Sequence, residues 1–254
     1  MTARSIGIGR WLVHGVARPG RRRLFCFPHG GGSVAEFIRW SRNLPELEIS
    51  GIQLPGRGTR LSEPALTTMD ELVAAVTQAL PTGAPYSMFG HSFGALVAYE
   101  VTRALLREGR PLPETLVVSG FPAPSTPRTA SHIHTLPDEE LINEVSRRHD
   151  GVPPEVLAQP ELKAIVARYL RADYQILETY EWRPGEQLPV PLTVFSGRDD
   201  KISAEALRAW QRHTVEEINV RMFPGGHFYF RQHEPAVLRA LAHAAGETRM
   251  KGAA

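Results

Sequence analysis

A serine with a glycine two residues to either side, Gly90-His91-Ser92-Phe93-Gly94, interrupts an apolar run and opens a helical pattern. On a sharp turn between strand and helix, that hydroxyl projects as a nucleophile, and the glycines remove side chains that would collide where the two elements nearly touch. A serine hydroxyl is a poor nucleophile at neutral pH. It needs an imidazole to take its proton and a carboxylate to hold that imidazole in the right tautomer. The chain supplies both downstream, as the pair Asp199 and Asp200 after Gly197 and as His227 in Gly225-Gly226-His227-Phe228. Each follows an apolar, strand-like run, and open α/β sheets place their sites at the carboxyl ends of strands.

Ten histidines are present, so context must choose among them. His132, His134 and His149 fall in a helical stretch, and His213, His233 and His243 are expected on helix surfaces or near helix ends. His227 follows a strand and lies downstream of the acid. Asp200, three residues after Gly197, is the expected acid, with Asp199 as the alternative. The order serine, acid, histidine is that of the α/β-hydrolases. A tetrahedral intermediate also needs backbone donors for its oxyanion. The amide of Phe93 is one candidate, and Gly30, in the loop His29-Gly30-Gly31-Gly32, is the other.

Positioning these residues takes a sheet. Strands are expected around Gly9 to Val16 and over Leu24 to Phe27, Glu48 to Leu54, Tyr86 to Gly90, Thr115 to Ser119, Leu192 to Ser196 and Ile218 to Phe223. Helical spacing recurs at Phe37, Trp40 and Leu44 over Val34 to Leu44, and at Met69, Leu72, Val73, Val76 and Leu80, where Thr68 is placed to cap with Glu71. The helix after Ser92 should stop near Arg107, before Gly109 and Pro111, another should begin near Ala204 with Ser203 as cap, and a last one should run from Pro235 to Ala245. Strands separated by single helices imply an α/β-hydrolase fold, with a mostly parallel central sheet and helices on both faces. From Phe121 to Pro191 the rhythm breaks into helical segments over Asp138 to Arg148, Pro154 to Ala158 and Glu161 to Tyr180. We read this as a helical lid insertion, which divides the chain into a core, 1–120 with 191–254, and a lid, 121–190. Ile165, Tyr169, Leu170, Tyr174, Leu177 and Tyr180 are chiefly the packed side of one lid helix, with the lining of an apolar channel as the alternative.

At 254 residues the chain suits one α/β domain with an insertion. No apolar run approaches a membrane span, and the amino terminus lacks a secretory signal, so a free-standing cytoplasmic protein is expected. A net charge of +2 argues against a nucleic-acid partner. Cys26, the only cysteine, excludes an internal disulfide and a cysteine metal cluster and belongs in the core. The glycine loop lacks the lysine and spacing of a phosphate cradle. No cofactor and no metal are expected.

Phe27-Pro28-His29-Gly30-Gly31-Gly32, Leu54-Pro55-Gly56-Arg57-Gly58, Gly90-His91-Ser92-Phe93-Gly94-Ala95, Gly197-Arg198-Asp199-Asp200 and Gly225-Gly226-His227-Phe228 together resemble the type II, or editing, thioesterases of polyketide and nonribosomal peptide assembly lines. The resemblance runs from about Leu24 to the final helix, and the insertion resembles that family's helical lid, including Arg171-Ala172-Asp173-Tyr174. It implies an acyl group held as a thioester on the phosphopantetheine arm of an acyl or peptidyl carrier protein, attacked by Ser92 and released as an acid by water that His227 activates. His29, Tyr169, Asp173, Tyr174 and Phe228 are the substrate-contact candidates it suggests. It also implies a monomer without a membrane partner, docking acidic carrier proteins through arginines. Gly30 stands where relatives often have alanine, which leaves a backbone donor undisturbed. The rival readings are a carboxylesterase or lipase with the same triad, a chain-terminating thioesterase, and a non-catalytic binding protein of the same fold.

Overall fold

The computed structural model describes residues 10–127, 131–149 and 158–246. Seven strands form one sheet: β1 (Leu12–His14), β2 (Arg22–Phe27), β3 (Leu47–Ile52), β4 (Tyr86–His91), β5 (Leu116–Ser119), β6 (Leu192–Gly197) and β7 (Asn219–Phe223). Their order is β1-β3-β2-β4-β5-β6-β7, with β1 antiparallel to β3 and every other pairing parallel. The helices are α1 (Ala35–Trp40), α2 (Met69–Ala79), α3 (Phe93–Arg107), α4 (Asp138–His149), α5 (Pro160–Thr179), α6 (Ala204–Arg208), α7 (Tyr229–Gln232) and α8 (Glu234–Gly246).

Side chains alternate across a strand, and that alternation builds two cores. Phe25 and Phe27 of β2, Leu116 and Val118 of β5, and Leu192 and Val194 of β6 pack on one face with α2 and α3. Leu24 and Cys26 of β2, Val117 of β5 and Phe195 of β6 pack on the other with α1 and α8. Cys26 is fully buried, as its apolar setting predicts. Apolar strands covered on both faces belong to a parallel sheet between two helical layers.

The caps anticipated from sequence form. Thr68 accepts from the Glu71 amide and donates to the Glu71 carboxylate, and Ser203 accepts from the Ala206 amide. The first helix is shorter than its spacing suggests. After Trp40 the amides of Ser41, Arg42 and Asn43 bond to carbonyls only three residues back, so the chain tightens into turns that still bury Leu44. The short α7, which buries Tyr229 and Phe230, was not anticipated. The helix expected over Pro154 to Ala158 lies, but for Ala158, outside the described residues.

Between β5 and β6 the regular elements among the described residues are helices, joined to the sheet by irregular chain over 120–127 and 180–191 that carries an isolated bridge between Leu188 and Thr214. Leu141, Ile142 and Val145 of α4 pack against Ala167 and Leu170 of α5 as a small core of their own, whereas Ile176 of α5 joins the main core. Among the described residues no helix is long and apolar enough to cross a membrane. His213, expected on a helix surface or near a helix end, is the last residue of a short 3-10 helix over Ala209–His213 and is buried. One ring nitrogen lies 2.7 Å from the Tyr99 hydroxyl and the other 2.9 Å from Ser125 Oγ, so both are satisfied away from water. Burial, with Arg103 and Arg212 nearby, lowers its pKa to about 4.

Candidate functional site

Ser92 joins β4 to α3 with φ 54 and ψ −120, the one non-glycine residue with positive φ among those described. Strain of this kind persists only where the surroundings over-determine it. A Cβ on Gly90 would sit 2.2 Å from the Gly94 carbonyl oxygen, and a Cβ on Gly94 would sit 2.1 Å from that of Phe27. No larger residue fits at either place. The Ser92 amide donates to the Ser119 carbonyl at 2.7 Å, which ties the turn to β5.

The acid and histidine loops meet beside it. His227 Nδ1 lies 2.8 Å from Asp200 Oδ2, and with a carboxylate as partner that nitrogen carries the proton. The other Asp200 oxygen accepts the Lys201 amide at 2.7 Å. Asp199 is exposed, and its amide donates to the Gly225 carbonyl, which fastens one loop to the other. A Cβ on Gly197 would lie 2.2 Å from the Gly226 carbonyl oxygen, so this contact also requires glycine. Of the two aspartates, Asp200 reaches the histidine. Behind the ring, His91 stands 4.8 Å from His227 between centroids and bonds Ser119 Oγ, which in turn contacts the Tyr229 hydroxyl.

Gly30 approaches Phe93: a Cβ added to Gly30 would stand 3.8 Å from that of Phe93 and 3.7 Å from the Tyr174 ring, which is ordinary contact distance. The position therefore has room for an alanine. Next to it, the Gly31 amide donates to Asp173 Oδ2 at 2.7 Å. Asp173 also receives both Arg57 terminal nitrogens, at 2.7 and 2.5 Å, and Arg57 lies over the Tyr169 ring. Both charged side chains are buried. Arg57 was quoted in a motif but given no part, and a pairing 116 residues apart leaves no periodic signal in sequence.

Ser92, Asp200 and His227 line a single cleft of about 740 Å³. Tyr174, Leu177 and Tyr180 of the 121–190 segment face it, as do Phe121 and Trp182. Burial pushes the Tyr174 phenol up to about 12, so that it is neutral in this wall. The other suggested contacts are elsewhere. Asp173 and Tyr169 engage Arg57, Leu170 is buried in the small core beside α4, and His29 packs edge-on against Phe228. Gly120, overlooked in the sequence, closes the floor: its φ is +59, and a Cβ there would stand 2.5 Å from His91 and 3.3 Å from His227. Its position just past the end of β5 was the available signal.

The chain has counterparts among known proteins in sequence and in fold. A profile of the thioesterase domain matches residues 22–244. Gramicidin S biosynthesis protein GrsT of Aneurinibacillus migulanus is 36% identical over 227 residues, which are 87% of this chain and 88% of that protein. Thioesterase PikA5 of Streptomyces venezuelae is 38% identical over 237 residues, 90% of this chain and 84% of that one. The solved structure of the type II thioesterase BorB from the borrelidin biosynthetic cluster matches with a TM-score of 0.84 at 35% identity, covering 96% of this chain and all of that one. The chain belongs to the thioesterase family, and the solved structures it resembles include type II thioesterases of the borrelidin and yersiniabactin biosynthetic pathways.

Proposed function

We propose that this thioesterase cleaves acyl groups from the phosphopantetheine arm of acyl or peptidyl carrier proteins and so clears stalled or misprimed polyketide or nonribosomal peptide assembly lines. The observation that carries the reading is the 2.8 Å contact between His227 and Asp200 in the cleft that Ser92 enters from a strained turn. Ser92 Oγ attacks the thioester carbonyl while His227 Nε2 takes its proton, and Asp200 steadies the imidazolium that forms. The oxyanion is held by the amides of Phe93 and Gly30, each donor of this kind being worth about 3 to 4 kcal/mol in the transition state. His227 returns the proton to the departing thiolate sulfur. Water, deprotonated by the same nitrogen, then attacks the acyl-serine and frees the acid.

In this reading residues 1–120 and 191–254 are the catalytic core and 121–190 a lid whose Tyr174, Leu177 and Tyr180 bound the acyl group. The chemistry uses no cofactor or metal, since phosphopantetheine arrives on the carrier protein. The enzyme acts in the cytoplasm as a monomer. The test is hydrolysis of a panel of acyl carrier proteins alongside simple oxygen esters. Free acid should appear from the carrier-bound thioesters, and Ser92→Ala should reduce its release by at least about a thousandfold. Undiminished release by that variant would overturn the mechanism. Preference for the oxygen esters would make the protein a carboxylesterase, and failure of Ser92 to react with an active-serine phosphonate would make it a binding protein.

A further inference from the structure

The loop that carries Gly30 has little of its own to hold its shape. Residues 29–32 close into a turn in which the Gly32 amide donates to the His29 carbonyl at 2.7 Å, with Gly30 and Gly31 at the two central places. Of the three glycines only Gly31 has a positive φ, +72, which makes this a type II turn. Glycine at both central places lets a turn adopt several types at little steric cost, so a group outside it must select one.

Helix α5 supplies that group. Leu170, Asp173 and Tyr174 share one face of it and abut the turn: a Cβ on Gly31 would stand 2.5 Å from Leu170, and one on Gly30 would stand 3.9 Å from Asp173 and 3.7 Å from the Tyr174 ring. Asp173 Oδ2 accepts the Gly31 amide at 2.7 Å. Turned over, as a type I turn requires, the central peptide would present the Gly30 carbonyl to that carboxylate, and the two would repel. Arg57 completes the hold: Nη1 donates both to Asp173 Oδ2 at 2.7 Å and to the Gly32 carbonyl at 3.3 Å, while Nη2 donates to Oδ1. Both side chains are buried, which strengthens bonds of this charged kind. Neither lines the cleft that holds Ser92, so their effect on the reaction passes through the turn.

We propose that Asp173, kept in place by Arg57, is a positioning residue for the oxyanion hole: by selecting the type II form of the 29–32 turn, it aims the Gly30 amide at the point that the Phe93 amide also serves. This rests on the reading of Ser92 as nucleophile and Gly30 as donor. Docking of α5 against the turn is then a condition for catalysis, because a misplacement of about 1 Å can cost about a hundredfold in rate.

The experiment measures kcat and KM on butyryl-pantetheine for two variants and their combination. Gly30→Pro deletes the amide hydrogen while suiting the first central place of a type II turn, and should lower kcat by about a hundredfold or more. Arg57→Met with Asp173→Leu removes the hold without stranding a buried charge, and should lower kcat by about tenfold or more with KM within about threefold. Added to Gly30→Pro, that pair should lower kcat by no more than about twofold further, since no donor is left to aim. A pair that merely stabilised the fold would exert its full factor in the Gly30→Pro background too. That result, or an unchanged kcat without the pair, would overturn the proposal. Labelling of Ser92 by an active-serine phosphonate is the second measurement, because the phosphoryl oxygen enters the same hole and no thioester is needed. Without the pair, labelling should reach the wild-type extent at a rate about tenfold lower, whereas a smaller extent at the wild-type rate would mark partial unfolding and overturn the proposal. Asp173→Asn, which keeps the shape and loses the charge, replaces the double variant in both measurements if that variant does not fold. A wild-type enzyme that labels but hydrolyses no thioester would contradict the substrate reading, with the labelling rates still deciding the role of Asp173. One that does not label would overturn both.

Discussion

The two walls of the cleft are held in different ways. On the sheet side, Ser92, Asp200 and His227 stand on loops fixed by backbone against backbone, where a Cβ at Gly90, Gly94 or Gly197 would meet a carbonyl oxygen at 2.1 to 2.2 Å. On the other side, the segment between β5 and β6 is fixed by charged and polar side chains. Arg57 grips Asp173, Glu100 and Arg103 hold Tyr180 and Arg183, and Glu178 accepts from Ser131 and from the backbone amides of Ile133 and His134. Backbone contacts admit almost no variation and fix atoms for chemistry. Side-chain pairs can be exchanged one at a time, which suits the wall proposed to bound the acyl group.

The largest effect should separate the aspartates on the sheet side. Asp200→Asn leaves the shape but removes the charge that orients His227, and kcat should fall on the order of a thousandfold or more, whereas Asp199→Asn should change it by only a few-fold. Steady-state kinetics on one acyl thioester reads both, and the reverse order would assign the acid to the neighbour. Next in size is the clamp between the two sides. Arg57→Ala strands the buried Asp173 carboxylate and should destabilise the fold by about 3 to 5 kcal/mol, while Arg57→Met combined with Asp173→Leu, which removes both charges, should cost less. Denaturant midpoints measure this, and a double variant as unstable as the single one would mean that the charge pairing is not what joins the two sides.

The smallest effect depends on pH and lies at the seam, where His213 links Tyr99 of α3 to Ser125. Its pKa falls from 6.5 to about 4 on folding. Above pH 6.5 both folded and unfolded chains keep it neutral, and stability is at its full value. Below that the unfolded chain takes up a proton that the folded one refuses, so stability falls by up to about 1.4 kcal/mol per pH unit until about pH 4. His213→Gln should flatten that part of the curve, as read by denaturation at a series of pH values. An unaltered slope would place the sensitivity elsewhere.

The same contrast explains what the sequence disclosed. Loops fixed by glycine leave short local signatures, so the elbow, the acid loop and the histidine loop were legible, along with the parallel sheet whose apolar runs lie between them. Asp200 followed from its spacing to Gly197 and is the aspartate that contacts His227. Side-chain pairs leave no such mark. The resemblance suggests Asp173 as a substrate contact, and spacing could not reveal that Arg57, 116 residues earlier, pairs with it. His213 does lie at a helix end, but nothing local in the sequence records that Tyr99 and Ser125 satisfy both its ring nitrogens. The helix bearing Tyr169, Leu170, Tyr174, Leu177 and Tyr180 did show its periodicity. Which of these side chains pack and which face the cleft depended on partners in α3, α4 and the glycine loop.

Strand order also governs how activity disappears under stress. β4, which delivers Ser92, is flanked by β2 and β5, but β7, which leads into His227, pairs with β6 alone and exposes Asn219 and Val220. Edge elements with little buried surface open at lower free energy than the centre of a sheet, and amide exchange detects this as weaker protection. The histidine is therefore the member of the site most readily withdrawn. Mild warming or low denaturant should therefore lower activity before the amides of β4 lose their protection, and simultaneous loss of both would place the weak point elsewhere.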